Sequence, residues 1–424
     1  MDPYILRCDP CRETFDPAQH PYNCPNCSGN LDVLYDYAAL AAGLDADRIK
    51  RSADASIWRY TDLLPVDRPP GGKTPIHDAG WTPLYNLPRL AERIGRSQLL
   101  VKDDGRNPTA SFKDRASAVV VAHALSAGIR TIVTASSGNA GAALAGMAAA
   151  AGIDAVIFVP KTAPPAKVAQ LLVFGAQVFL VDGTYDAAFD LALEAAEAYG
   201  WYCRSTGYNP LTLEGKKTGA FEIWEQSPGS FRREGRPLNL FVSVGDGNII
   251  AGIHKGFKDL AQLGWIDRFP RLFGVQAEGS AAVADAFRSG SGEIRPVAAH
   301  TLADSIRVDF PRDGLRALRA ATETGGAYVT VTDEEILTAI SDLGTAGIFA
   351  EPAGAAAFAG LKAAGRDGLI SPEEDVLVFN TGNGLKDVSA AQKAGGTAKV
   401  IEPDLKALQR ILPLTRKVGN RGGD

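Results

Sequence analysis

The sequence predicts an α/β protein built from two open parallel-sheet domains and a small zinc-ribbon-like segment at the N-terminus. Three observations carry that expectation. Short β-branched runs alternate with long apolar helices from about residue 100 to about residue 390. Glycine-rich loops stand where strands hand over to helices. Four of the five cysteines fall as two CxxC pairs near the N-terminus. At 424 residues and 46% hydrophobic composition, the chain is long enough for two or three domains and a large core.

The cysteine segment comes first. Cys8 and Cys11 are separated from Cys24 and Cys27 by 12 residues, a spacing that can close a tetrahedral thiolate site. Zinc is the favoured ion, in a structural role, because four thiolates leave no open coordination position. Four reduced cysteines of a degenerate ribbon are the alternative. His20 reads as a surface residue and Cys203 as a small core residue. The passage "VDRPPGGKTPIHDAGWTPL" then reads as linker and surface turns. After it, "LLVKDDGRNP" runs as strand and turn into the helical "SFKDRASAVVVAHALSAG". "TIVTA", "GNAGAALAGMAAAAG" and "AVIFVP" make a βαβ unit, and "LLVFGAQVFLVDG" repeats the helix-to-strand step. "NLFVSV" leads into "GDGNIIAGIHKGFKDLAQLG", "RLFGVQAEG" follows as a strand, and "DVLVFNTGNGLKD" closes the series. Such alternation implies parallel sheets covered by helices on both faces.

Charge narrows the partners. With 44 basic and 49 acidic side chains the net charge is −5, which argues against a nucleic-acid or membrane-surface binder and for a small-molecule substrate. Apolar runs long enough to span a bilayer are missing, and "MDPYILRCDP" lacks the layout of a signal peptide, so a cytosolic protein is expected.

In open α/β sheets ligands bind beyond the carboxyl ends of the strands, and three loops there have unusual residues. In "ASSGNAG", Ser136, Ser137 and Asn139 supply side-chain donors, Gly138 and Gly141 let the backbone come close, and the following helix offers N–H groups, which suits a carboxylate; a serine N-cap would explain Ser137 alone. In "SVGDGNI", Gly245, Gly247 and Asn248 could wrap N–H groups around a phosphate, although the dinucleotide fingerprint is not met. Asp246 would repel that phosphate unless its side chain turned away or capped the helix. In "FNTGNGLKD", Thr381 sits at a strand end where its hydroxyl could face a bound ring; a plain glycine-rich strand exit is equally compatible. Lys113, in the first turn of an apolar helix, is electrostatically out of place. Desolvated by Phe112 and close to helix-end N–H groups, its ammonium would be destabilised, and a neutral amine can form a Schiff base.

"NPTASFKDRAS", "SSGNAG", "SVGDGNI", "EPAGAAAFAGL" and "NTGNGLKD", in that order, resemble the fold-type II pyridoxal-phosphate enzymes, and within them the threonine synthases. The resemblance runs from "GWTPLYNL" to about residue 390, and the two CxxC pairs followed by "GNLDVLYDY" look like an N-terminal extension found in many members. It implies a tryptophan-synthase-β-like architecture: a ribbon at 1–40, a large cofactor-binding domain from 41–100 and 215–412, a small substrate domain at 101–214, and a flexible tail at 413–424. It further implies pyridoxal 5'-phosphate on Lys113, Phe112 near its ring, Asn139 on its 3-hydroxyl oxygen and Thr381 facing its pyridine nitrogen. The phosphate would lie on Gly245, Asp246, Gly247, Asn248 and Ile249, and the substrate carboxylate on Ser136, Ser137, Gly138, Asn139 and Ala140. The implied reaction turns O-phospho-L-homoserine and water into L-threonine and phosphate, in a homodimer. Ala110 and Ala116 stand where glycines are common in the family. Thr212 stands at the substrate-phosphate position where many members have an arginine, and Lys216, Lys217 or Arg204 would have to compensate. Two alternatives keep the resemblance: a serine/threonine ammonia-lyase or β-replacement (cysteate-synthase-like) enzyme, and a non-catalytic relative whose ribbon docks a partner.

Overall fold

The computed structural model describes residues 4–18, 22–231 and 237–411. His20 and the expected tail at 413–424 lie outside the described residues. Among the described residues thirteen strands form three sheets. β1 (Tyr4–Cys8), β2 (Thr14–Phe15) and β3 (Leu31–Tyr35) make a small antiparallel sheet in the order β2-β1-β3. Next come β4 (Leu84–Asn86), β5 (Leu100–Asp103), β6 (Thr131–Ala135), β7 (Asp154–Pro160), β8 (Gln177–Val181) and β9 (Tyr202–Cys203). The last four are β10 (Leu238–Ser243), β11 (Arg271–Ala277), β12 (Ala327–Val331) and β13 (Asp375–Asn380).

The large sheet has the order β12-β11-β10-β13-β5-β4 and is parallel except for β4. Both its faces are covered. Leu238, Leu240 and Val242 of β10 join one apolar cluster while Phe241 joins another, the alternation a pleated strand imposes. The fully parallel small sheet has the order β8-β7-β6-β9. An α/β architecture with parallel sheets is therefore what the sequence predicts and what the chain forms. The expected domain boundary at 101 needs correction, because it cuts through β5, whose backbone pairs with β13 in the large sheet. That pairing is with a segment far along the chain, so local pattern does not reveal it.

Beyond β10 the chain proceeds outward to β11 and β12, whereas β13 and β5 lie on its other side. This reversal leaves a crevice at the carboxyl ends of β10 and β13. The loops 243–249 and 380–387 open there. Helix Lys113–Ser126, which follows β5, is fixed beside the crevice by buried charges. Arg115 Nε lies 2.6 Å from Asp104, Arg115 also pairs with Glu222, and Lys102 Nζ is 2.6 Å from Glu222, all four side chains being fully buried. Arg115 and Lys102 hold the Glu222 carboxyl down to about 2 against the cost of its burial. Cys203 is buried in the apolar cluster of the small sheet, as expected. Among the described residues no helix is long and apolar enough to cross a membrane.

Candidate active site

A cavity of about 560 Å³ lies between the two parallel sheets, and Lys113 lines it together with residues 136–140, 245–249 and Thr381. Three separate stretches of sequence thus converge on one lysine. Lys113 opens its helix, and its position is set by backbone bonds on the preceding turn: Phe112 N donates to Thr381 O at 2.9 Å, and Asn383 N donates to Ala110 O at 3.1 Å. Ala110 holds this turn with φ +67°, a left-handed conformation that favours glycine. Burial pushes the Lys113 ammonium below its usual range; Glu351 opposes that shift, and the nearby Arg204 charge adds to it. Among the described residues Lys113 Nζ has no hydrogen bond or ion pair.

The serine loop and the glycine loop face each other across the cavity. In the first, Ser136 Oγ accepts from Gly138 N at 3.2 Å, and Ser137 does not cap the helix Asn139–Ala151. Gly141 is needed there, since a Cβ would stand 2.1 Å from Ser136 O. Asn139 Nδ2 donates to Glu351 Oε1 at 2.7 Å. In the second loop, Gly247 has φ +90° and a Cβ on it would meet Asp313 O at 2.8 Å. Asn248 opens the helix Asn248–Gln262; its side chain accepts from Lys216 Nζ and donates to Asp313 Oδ2 at 2.5 Å. The Asp246 carboxylate accepts from Arg312 N at 3.4 Å, turned toward the 310–314 segment as its charge requires. Burial raises its pKa.

Two expected residues are not brought to the cavity. Phe112 is fully buried beneath it, with its ring edge-on to Phe379 at 5.1 Å between centroids, so it belongs to the core and does not line the site. Thr212 is fully buried and donates its hydroxyl to Asn209 O at 2.8 Å, the local bond that fixes the first turn of helix Leu211–Gln226. Glu351 is the residue that sequence reasoning missed. It lines the cavity at the N-terminus of helix Pro352–Arg366, and burial raises its pKa while Lys113 opposes the shift. It opens the motif "EPAGAAAFAGL", but "EP" at a helix start is also an ordinary way to begin a helix.

A parallel α/β fold with an unpaired lysine amine at the sheet crevice, faced by a glycine loop at a helix N-terminus, defines a pyridoxal-phosphate dependent enzyme. The family of that description matches residues 77–382, and the chain belongs to it. Threonine synthase of Methanosarcina acetivorans is 38% identical over 412 residues, covering 96% of this chain and 98% of its own length. Threonine synthase of Methanocaldococcus jannaschii is 37% identical over 411 residues, covering 96% and 99%. Among solved structures, threonine deaminase isoform 2 from Solanum lycopersicum superposes with a TM-score of 0.63 at 24% identity, covering 78% of this chain and 91% of that one. Diaminopropionate ammonia lyase from Escherichia coli gives 0.64 at 21% identity, covering 82% and 92%. These two likenesses show the fold.

The residues present fit the cofactor. Its phosphate needs donors without side-chain bulk, and the Gly245–Asn248 loop has both properties: a Cβ on Gly245 would lie 2.9 Å from Ile306 Cα, and the following helix begins with free N–H groups. Ser243 Oγ, also on the cavity wall, is buried without a partner among the described residues. Its aldehyde needs an amine that is not held as a paired ammonium, which describes Lys113.

Proposed function

We propose that the chain converts O-phospho-L-homoserine and water into L-threonine and phosphate. The observation that carries this reading is a partnerless Lys113 amine in the inter-sheet cavity of a chain that aligns almost end to end with threonine synthases. Bound pyridoxal phosphate supplies an aldehyde that joins to amines and a ring that draws off the electron pair left when a neighbouring carbon loses a proton. Gly245, Gly247, Asn248 and Ile249 would hold its phosphate, with the Asp246 carboxylate directed to Arg312 N. Thr381, on the cavity wall, would offer a hydroxyl to the ring nitrogen, and a hydroxyl cannot keep that nitrogen protonated as a carboxylate would. The Ser136–Ala140 loop would receive the substrate carboxylate, and Asn139 would hydrogen-bond the ring oxygen. Lys113 Nζ, whose ammonium form burial disfavours, would remove the Cα proton of the substrate and then a proton at Cβ. Phosphate would leave from Cγ, which takes up a proton to become the methyl group; the hydroxyl of water would add at Cβ, and Cα would regain its proton.

The test is incubation of the holoenzyme with O-phospho-L-homoserine. Phosphate and L-threonine appearing in equal amounts is the expected result. Ammonia from L-threonine or L-serine, with no phosphate release, overturns the reading in favour of a deaminating enzyme.

The same proposal places zinc on Cys8, Cys11, Cys24 and Cys27. Their sulfurs lie within 4.8 Å of one another, and tetrahedral zinc at ~2.3 Å from each sulfur needs separations of about 3.8 Å. Arg12 and Ser28, each following the second cysteine of a pair, both adopt positive φ, so two matching turns present the four thiols. One zinc per chain, lost in Cys24→Ser, is expected by elemental analysis. The proposal also includes a large cofactor-binding unit around the six-stranded sheet, a small substrate unit around the four-stranded sheet, a cytosolic location and a homodimer. Exposed apolar side chains on the edge strand β8, Phe179 and Leu180, and at the end of the preceding helix, Leu172 and Val173, support self-association, which light scattering measures.

A further inference from the structure

We propose that Arg204 is the anchor for the phosphate of the substrate, an assignment that rests on the function proposed above and specifies how it selects a phosphorylated amino acid. Arg204 continues β9, its backbone N donating to Val133 O at 2.9 Å, and its side chain lines the cavity although it is fully buried. Its Nε donates to Ser117 Oγ at 3.2 Å and its Nη1 to Thr206 Oγ1 at 3.0 Å. Nη2 is buried with no partner, and among the described residues no carboxylate lies within ion-pairing distance of the guanidinium. The contrast with Arg115 is direct, since that equally buried guanidinium is paired with Asp104 and Glu222. A buried cation without a counter-charge is costly, so the site is built for an anion that arrives from outside.

The other cations of the cavity region already have partners. Lys217 is held by Glu214 at 2.6 Å and Asp259 at 2.8 Å. Lys216 donates to Asn248 on the glycine loop, and Arg312 Nη2 is 3.5 Å from Asp186. Thr212 gives its hydroxyl to Asn209. Ser117 lies one turn beyond Lys113 on the same helix, so its bond to Arg204 sets the guanidinium beside the amine on the small-sheet wall. Burial lowers the Arg204 pKa to about 10, which leaves it a cation at neutral pH, and a bound anion would oppose that shift. Nη2 together with the remaining Nη1 hydrogen offers a fork that matches two phosphate oxygens.

The experiment compares holoenzyme of the parent, Arg204→Gln and Arg204→Lys, each checked for bound cofactor by absorbance. Three quantities are read: the dissociation constant of inorganic phosphate by calorimetry, KM and kcat for O-phospho-L-homoserine, and the dissociation constant of L-serine from the cofactor spectrum. Arg204→Gln is expected to weaken phosphate binding and raise KM by about 10- to 100-fold, while L-serine binding stays within about twofold of the parent. Arg204→Lys keeps the charge and loses the fork, and should fall between the two. Should Arg204→Gln fail to retain cofactor, Arg204→Lys carries the comparison with the same expectation of weaker phosphate and unchanged L-serine binding. Unchanged phosphate affinity, or L-serine binding lost in proportion, overturns the assignment. A parent that never turns over O-phospho-L-homoserine, yet binds inorganic phosphate through Arg204, defeats the substrate reading and leaves the anion anchor standing.

Discussion

Lys113 titrates against the fold that buries it. A lysine whose folded pKa lies below its unfolded value of 10.5 binds fewer protons when folded, so between those two values the stability of the cofactor-free protein rises with pH. Lys113→Met should therefore be more stable than the parent cofactor-free protein at neutral pH, and the difference should close as the pH approaches 10.5. Urea midpoints measured across that window check it; two curves that stay parallel speak against a destabilised ammonium. Ala110 is a second residue under strain. Its left-handed backbone should let Ala110→Gly stabilise the chain by about 0.5–1 kcal/mol, seen as a higher urea midpoint, and a lower one contradicts this reading. The sequence showed both positions for different reasons: a lysine at a helix start is conspicuous, and alanine stood where the resembling family often has glycine. It did not show that Phe112 and Thr212 point into core and helix turn, because direction depends on packing partners that are distant in sequence. Arg204 was legible only as one of three candidates, since its distinguishing property is the lack of a carboxylate neighbour.

Elements are where sequence pattern succeeded most. β6 "TIVTA", β7 and β10 are runs of β-branched and apolar residues bounded by turns, and all are buried parallel strands. The pairing of β5 with β13 was not legible, and with it went the expected boundary at 101. The helix that presents Lys113 depends on that misplaced strand through Lys102, Asp104, Arg115 and Glu222. Removing the central guanidinium leaves the buried Asp104 carboxylate without a counter-charge and Glu222 with Lys102 alone, so Arg115→Ala should cost about 3–5 kcal/mol. Equilibrium urea unfolding measures it, and a loss under about 1 kcal/mol would show that the four charges do not act as one network.

Across the whole molecule the cavity is bridged by contacts between the two sheet units. Asn139 reaches Glu351, Lys386 Nζ reaches Gln170 Oε1 at 3.0 Å, and Lys167 pairs with Asp304. These contacts join the two sheet units around the cavity, and the glycine loop that would cradle the cofactor phosphate lies on the large-sheet side. The Lys167–Asp304 pair is partly exposed, and such pairs contribute about 1 kcal/mol at most, so Lys167→Ala should raise KM by up to about fivefold without loss of cofactor. An unchanged KM, or cofactor lost on gel filtration, would contradict that division of labour. The central claim is that one buried amine, Lys113, bonds to the cofactor aldehyde, although Lys216 lines the same cavity. The most direct measurement is borohydride reduction of the chain reconstituted with pyridoxal 5'-phosphate, followed by peptide mass spectrometry. A reduced pyridoxyl adduct on Lys113 is the predicted result; an adduct on Lys216, or none at all, would contradict the account.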